Sequence, residues 1–311
     1  MTYTTETDAP VVCALSTRSP AKINLTLDVL GRRSDGFHEI RSVALGVDYW
    51  DELRFERADH DRVCLGCDRR DLPGDDRNLI VQAANRLKAA VGAPELGVHI
   101  TMSKRIPIAS GLGGGSGNAA VTLMALNRLW GTGLSPARLA SIGSEIGSDV
   151  ALFFALPSAR ITGRGERVAP VEMRWSGWVV LAFAGCPVST REVYAAWAAV
   201  KPEASGGGDG GRGLVDDTGD VVAARSAEEL SQLCRNALEP AVFEVAPAVR
   251  TLVNAARSCG AAYPRVTGAG QTVYTLFDDA DEAEVFRLKL KTTGACTGAV
   301  VCRTLTAPMM I

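Results

Sequence analysis

Apolar and polar positions alternate with a period of two over residues 23–30 (INLTLDVL) and again over 51–58 (DELRFERA). Each segment is bounded by turn residues, so the pattern predicts antiparallel strands. The period then lengthens. From about Asn78 to Ala90 apolar residues recur at helical spacing, VHITMSK at 98–104 returns to a strand, and AAVTLMALNRLW at 119–130 is helical again. Ser135-Pro136 marks another helix start, with serine as N-cap and proline in the first turn. Further on, AEELSQLCRNALEPAV (227–242) and APAVRTLVNAARSCG (246–260) read as helices, and TVYTLF (272–277) and VVCRTL (300–305) as strands. This mixed order predicts an α+β protein rather than the regular alternation of a doubly wound sheet. Residues 203–219, EASGGGDGGRGLVDDTG, are nearly free of apolar side chains and predict a mobile loop. The chain therefore divides into a first unit over 1–170 and a second α+β unit over 171–311.

Composition adds limits rather than a function. With 311 residues, 47% apolar and 22% charged, the chain is long enough for two domains. A net charge of −2 argues against nucleic acid or an anionic membrane as the main partner. No apolar run reaches the roughly 18 residues of a membrane span, and the polar start MTYTTETDAP is unlike a signal peptide. A soluble cytoplasmic protein is expected. The eight cysteines are scattered and read as free thiols. Cys64 and Cys67 form the one close pair, and a zinc site there requires a second pair or histidines at metal spacing, which the sequence does not display.

Residues 105–120, RIPIASGLGGGSGNAA, place a glycine-rich, nearly uncharged turn directly before an apolar helix. Glycines 111, 113, 114, 115 and 117 can take positive φ and bring backbone N–H groups to one anion, with the helix dipole aimed at the same point. Three familiar motifs do not fit. A Walker A loop ends in Gly-Lys-Ser/Thr and this turn has no lysine; G-x-G-x-x-G fails at Ser116; and G-x-S-x-G fails at Asn118. What remains is a phosphate nest of another kind, with a ligand-free turn as the alternative.

Two further clusters complete a candidate site. In SPAKINLTLDVLGRRSDGFHEIRSV, residues 19–43, period-two alternation puts Lys22 and Asn24 on one side of a strand. In GSDVALF, residues 147–153, a carboxylate is followed at once by what reads as a hydrophobic strand. A strand lysine often snorkels to the surface and such an aspartate often just caps a turn. If the two meet, however, Asp149 can take the proton of an alcohol while Lys22 keeps it ionised and offsets charge on a moving phosphoryl group.

Together these segments resemble the GHMP kinase superfamily, which contains galactokinase, homoserine kinase and the mevalonate-type kinases. Within it they are most similar to the kinases of 4-diphosphocytidyl-2-C-methyl-D-erythritol in the non-mevalonate route to isoprenoid precursors. The resemblance is carried by SPAKINLTLDVLGRRSDGFHEI, IPIASGLGGGSGNAA, GDDRNLIVQAA and VTGAGQTVYTLF, and covers most of the chain apart from the termini and residues 203–219. It implies a two-domain fold, with an ATP-binding N-terminal domain like domain 2 of ribosomal protein S5 and a C-terminal α+β domain on the substrate side. It further implies ATP-dependent phosphorylation of the substrate 2-hydroxyl, with Asp149 as base, Lys22 as its electrostatic partner and Asn24 as a substrate-side contact. His38 is implied to hydrogen-bond the cytosine, with Phe37 and Tyr194 stacking on its two faces. ATP is assigned to Gly111, Leu112, Gly113, Gly114, Gly115, Ser116, Gly117 and Asn118, with Asn78 and Lys104 near the nucleoside and Gly268 and Gly270 closing the site. Mg2+ should accompany ATP; Ser116 offers a hydroxyl, but the sequence fixes no metal ligands.

The implied partners are thus ATP and a small molecule, with neither nucleic acid nor membrane, in a monomer or weak homodimer. Phe37 stands where many members have tyrosine, Gly117 replaces a second serine, Ala151 a frequent proline, and Ala269-Gly270-Gln271 a serine-rich run. Three rivals remain: a GHMP kinase acting on another small alcohol, a non-catalytic nucleotide-binding paralogue, and an acyl-serine enzyme suggested by Ser19-Pro20-Ala21-Lys22. The last lacks its S-D-N and K-T-G companions.

Overall fold

The computed structural model describes residues 13–200 and 218–309. In chain order its elements begin with β1 (Ala14–Arg32), β2 (His38–Ala58), β3 (Val63–Cys67), α1 (Leu79–Val91), β4 (Gly97–Ser103), α2 (Gly114–Leu129) and α3 (Pro136–Ile146). A short 3-10 helix (Ala151–Phe154) leads to β5 (Ser158–Gly163), β6 (Arg167–Pro170) and β7 (Trp178–Phe183). Then come α4 (Thr190–Val200), α5 (Thr218–Ala223), α6 (Ala227–Leu233), β8 (Arg235–Asn236), α7 (Glu239–Val245) and α8 (Pro247–Ser258). The chain closes with β9 (Arg265–Val266), β10 (Thr272–Phe277), α9 (Ala280–Thr292) and β11 (Gly298–Arg303). Among the described residues no helix is long and apolar enough to cross a membrane.

The strands form two sheets. One has the order β3-β4-β2-β1-β8, with β5 also on β2 and β6 on β5; the other runs β11-β7-β10-β9. The first sheet is organised by a long antiparallel pair, β1 with β2, in register from Ala14↔Glu56 to Arg32↔His38 and shifted at three bulges. One half of β2 then pairs with β4 and the other with β5. Alternation along β1 sends Ala21, Ile23 and Leu25 into a core shared with Val179, Leu181 and Tyr274 of the second sheet. Lys22, Asn24 and Thr26 face the opposite way and are buried as well. Helices α1, α2 and α3 cover the first sheet around Phe55, Ile100, Leu123 and Leu126.

Several expectations change in the fold. The segments 23–30 and 51–58 are parts of strands of 19 and 21 residues, because bulges let β1 and β2 continue through positions where alternation lapses. Asp149 precedes a 3-10 turn, not a strand: Ala151, Leu152 and Phe153 are all buried, so their apolar run has no alternating face. The helix expected over 227–242 breaks at Asn236, whose side-chain amide donates to the carbonyls of Val266 and Gly268 while its oxygen accepts from the Leu238 N–H. Of the expected loop at 203–219, residues 203–217 lie outside the described residues, and Thr218 and Gly219 open α5.

That β8 insertion carries chain from the second half onto β1 of the first sheet. Asp28, buried on β1, accepts from Arg235 of β8 at 2.8 and 2.7 Å and from Arg41 of β2 at 3.4 Å. Asp28→Ala removes the carboxylate that both guanidinium groups share, and because Arg235 keeps 32% of its side chain exposed the expected loss is about 2 kcal/mol rather than the 3–5 of a fully buried pair. Urea unfolding should show a lower midpoint at unchanged slope; a shift below about 0.5 kcal/mol would contradict the role given to this pairing.

Candidate active site

The glycine-rich turn follows β4 and opens α2. Gly111 and Gly113 take left-handed φ values of 82° and 70°, whereas Gly114, Gly115 and Gly117 are helical, so the turn uses two of its five glycines for positive φ. Gly113 is the N-cap and has no side chain to satisfy the first amides of α2. Those N–H groups sit beside a cleft of about 390 Å³ lined by Gly113, Gly114, Gly115 and Ser116, an arrangement suited to an anion.

Glycine matters elsewhere in the turn for another reason. A Cβ on Gly111 would lie 2.1 Å from the Thr267 carbonyl oxygen, and one on Gly270 would lie 2.1 Å from the Gly111 nitrogen. The segments around 111 and 268 are therefore in direct backbone contact. Gly117 is packed too, since a Cβ there would lie 2.8 Å from both Phe153 and the Ser19 hydroxyl. Behind the turn is a residue that the motifs did not mark, Asp51. Its carboxylate is fully buried and accepts from the amides of Arg105 and Ile106 at 2.8 and 2.9 Å, from Asn118 at 2.9 Å, and from Lys104 Nζ. Its sequence signal is faint but physical: it is in phase with inward-facing Leu53 and Phe55 on β2. Burial lowers the Lys104 pKa, an effect the neighbouring Asp51 opposes.

Lys22 and Asp149 do meet. Lys22 Nζ donates to Asn24 Oδ1 at 2.7 Å and lies 3.6 Å from Asp149 Oδ2, with the lysine side chain 5% exposed and the aspartate 41%. The Lys22 backbone N–H donates to the Leu112 carbonyl at 3.0 Å, so β1 is fastened to the glycine turn next to its own ammonium. Asn24 is held in turn by Ser42 through its amide and by Thr267 through its backbone N–H. Lys22, Asn24, Lys104, Asp149, Tyr194 and Gly268 all line the same cleft as the glycine turn. A buried ammonium beside a half-open carboxylate, at the rim of an anion cradle, can move a proton from an alcohol and hold negative charge at one place.

Four other expected positions support the cleft from behind. Asn78 caps α1, accepting from Ile80 N–H and donating to the Pro73 carbonyl. Leu112 is fully buried, Gly117 packs under Phe153, and Asn118 points to Asp51. The aromatic set differs from a ready-made slot. His38 stacks on Tyr194 with ring centroids 4.9 Å apart and planes at 22°, and meets Trp197 edge-on, while Phe37 is 49% exposed under the guanidinium of Arg164. Thus the Tyr194 face assigned to a base is covered by His38. The His38 Nε2 is buried with no hydrogen-bond partner, and burial, with a smaller contribution from Arg32, lowers its pKa, so the ring is neutral at neutral pH. Burial pushes the Tyr194 hydroxyl up to about 12, the nearby Asp149 carboxylate adding to the effect.

Known proteins share this sequence pattern and this fold. The family models for the GHMP kinase N-terminal domain and the GHMP kinase C-terminal region match residues 78–155 and 205–296. A 4-diphosphocytidyl-2-C-methyl-D-erythritol kinase of Bacillus cereus (strain B4264) is 37% identical over 262 residues, 84% of this chain and 88% of the relative. One of Bacillus anthracis is 38% identical over the same share. A crystal structure of 4-(cytidine 5'-diphospho)-2C-methyl-D-erythritol kinase superposes with a TM-score of 0.75 at 28% identity, covering 94% of this chain and all of that one. Homoserine kinase from Cytophaga hutchinsonii shares the fold at a TM-score of 0.71 but only 17% identity, with 99% of this chain and 98% of that one covered. The chain belongs to the GHMP kinases and, within them, to the family of the 4-diphosphocytidyl-2-C-methyl-D-erythritol kinases.

Because Gly270 abuts backbone rather than a movable side chain, Gly270→Ala must push the two glycine segments apart. Calorimetric titration should show ATP affinity falling by roughly tenfold or more, which is about 1.4 kcal/mol. Affinity within a factor of two of the parent would show that this contact does not shape the nucleotide site.

Proposed function

We propose that this chain transfers the γ-phosphoryl group of ATP to the 2-hydroxyl of 4-diphosphocytidyl-2-C-methyl-D-erythritol, in the cytoplasm and as a step of isoprenoid precursor synthesis. Support comes from the relatives' names and coverage. The observation that carries the chemistry is the 3.6 Å approach of Lys22 Nζ to Asp149 Oδ2 beside the glycine turn.

In this reading Asp149 accepts the hydroxyl proton as the substrate oxygen bonds to the γ-phosphorus and the bond to the β,γ-bridging oxygen breaks, releasing ADP. The proton then leaves through the exposed side of Asp149. Lys22 keeps Asp149 ionised before transfer and opposes charge that builds on the moving group. Asn24 fixes the Lys22 ammonium, and the α2 amides hold ATP phosphate. Mg2+ would fit the oxygen chemistry of the Ser116 hydroxyl and the phosphates and would supply charge neutralisation there; among the described residues Asp149 is the one carboxylate lining the cleft.

For the substrate nucleobase, we take the unpartnered His38 Nε2 as the hydrogen-bonding group. Tyr194 and Phe37 supply the stacking faces once His38 turns off Tyr194. Residues 1–170 form the catalytic and ATP-binding half in this reading and 171–311 the substrate-side half.

An assay with ATP, Mg2+ and the cytidyl substrate, run beside homoserine, galactose and mevalonate, tests the assignment. Turnover of another alcohol with none of the cytidyl compound would overturn it. Asp149→Asn should lower kcat by about 10³-fold or more while ATP affinity changes little, the size typical of a lost proton acceptor. Near-normal turnover would remove Asp149 from the reaction. His38→Ala should raise KM for the cytidyl substrate about tenfold, as expected for a lost hydrogen bond, and leave KM for ATP unchanged; equal changes in both would contradict its role.

A further inference from the structure

Away from the cleft, on the solvent side of the first sheet, two histidines and a cysteine converge. β3 and β4 pair in parallel with Cys64 directly opposite His99. On β4 the neighbours Val98 and Ile100 are buried in the core, so His99 points outward. His60, in the turn between β2 and β3, brings its Nε2 to 3.2 Å from His99 Nε2 with the rings at 80°. One donor atom from each of His60, Cys64 and His99 lies within 4.8 Å of the other two. The turn is held firmly: a Cβ on Gly97 would lie 1.6 Å from the His60 carbonyl oxygen, so His60 rests on β4 where only glycine permits it.

Two imidazole nitrogens bound to one tetrahedral zinc at about 2.0–2.1 Å stand roughly 3.3 Å apart, close to the separation seen here. We propose that His60 Nε2, His99 Nε2 and Cys64 Sγ form a binding site for a divalent cation of the zinc class, with water in the fourth position. Mixed nitrogen and sulfur donors select this class over Mg2+ and Ca2+, which take oxygen. The site is thereby separate in chemistry as well as in position from the nucleotide cleft. Binding replaces the Cys64 S–H bond by a sulfur–metal bond and sends that proton to solvent. His60 must keep its ring proton on Nδ1, which gives up the contact in which Nδ1 accepts the Arg62 N–H at 3.2 Å. The bound ion would clip the 59–62 turn and β3, the edge strand, onto β4.

Metal-free, tag-free full-length protein titrated with Co2+ should develop a thiolate-to-cobalt charge-transfer band that saturates at one equivalent and is lost on adding Zn2+. Cys64→Ser should abolish the band, and His99→Gln, which removes a direct ligand, should weaken Zn2+ binding by at least the roughly tenfold that altering a mere outer partner of a metal ligand costs. Cys67→Ser should leave both unchanged, and kinase turnover with Mg2+ and ATP should stay normal in every variant. In the parent protein Zn2+ should also protect Cys64 from alkylation, a readout that needs no substitution. Absence of a charge-transfer band, or Zn2+ binding unaffected by both the Cys64 and His99 substitutions, would overturn the site and leave the two histidines as a simple hydrogen-bonded pair.

Discussion

A carboxylate withdrawn from water organises the glycine turn and the cleft beside it. Asp51 has no contact with solvent, yet it accepts from two consecutive backbone amides, an asparagine on α2 and the Lys104 ammonium. A buried charge is tolerated only when such partners surround it. Here the partners come from the end of β4, the approach to the glycine turn and the first turns of α2, so satisfying one charge sets the position of all three. The anion cradle is consequently built from behind, and its front surface can remain backbone and small residues.

β1 supplies the complementary constraint. Its two faces are both buried but differ in kind: one enters the apolar core between the sheets, while the other delivers Lys22 and Asn24 to the cleft. The strand is secured at several levels, by Lys22 N–H to Leu112, Asn24 N–H to Thr267, and the Asn24 carbonyl to the Tyr274 hydroxyl. Charge at the site thus rests on main-chain hydrogen bonds to the glycine turn and to the 267–274 segment.

Local rules reached far into this fold and stopped at identifiable places. Helix starts were legible because their chemistry is local: Asn78 and Ser135 both accept from amides two or three residues on. The Lys22 and Asn24 pairing followed from strand alternation alone, whereas Asp149 was proposed as the partner of Lys22 on chemical grounds and the motif resemblance implied the same pairing. Strand lengths were underread because bulges are tertiary accommodations that leave no periodic mark. The break at Asn236 depends on carbonyls about 30 residues later, and the His60, Cys64 and His99 convergence depends on the pairing of β3 with β4; neither can be seen before the sheet exists. Asp51 is an intermediate case, detectable as an acid in phase with core residues but without a sequence neighbour to explain it.

The His38 ring lying on Tyr194 has a consequence for molecular selection. On the base-stacking role proposed for Tyr194, His38 is an internal aromatic tenant on one face of the phenol ring, and a flat heterocycle would have to evict it before stacking on that face. Free pyrimidines, which bring one ring and nothing else, exchange one stack for another at little net advantage. Molecules that also bring phosphate or polyol groups to the cleft would have a second source of attraction to drive the exchange, and under the proposed reading the resident side chain would act as a threshold against fragments of the substrate.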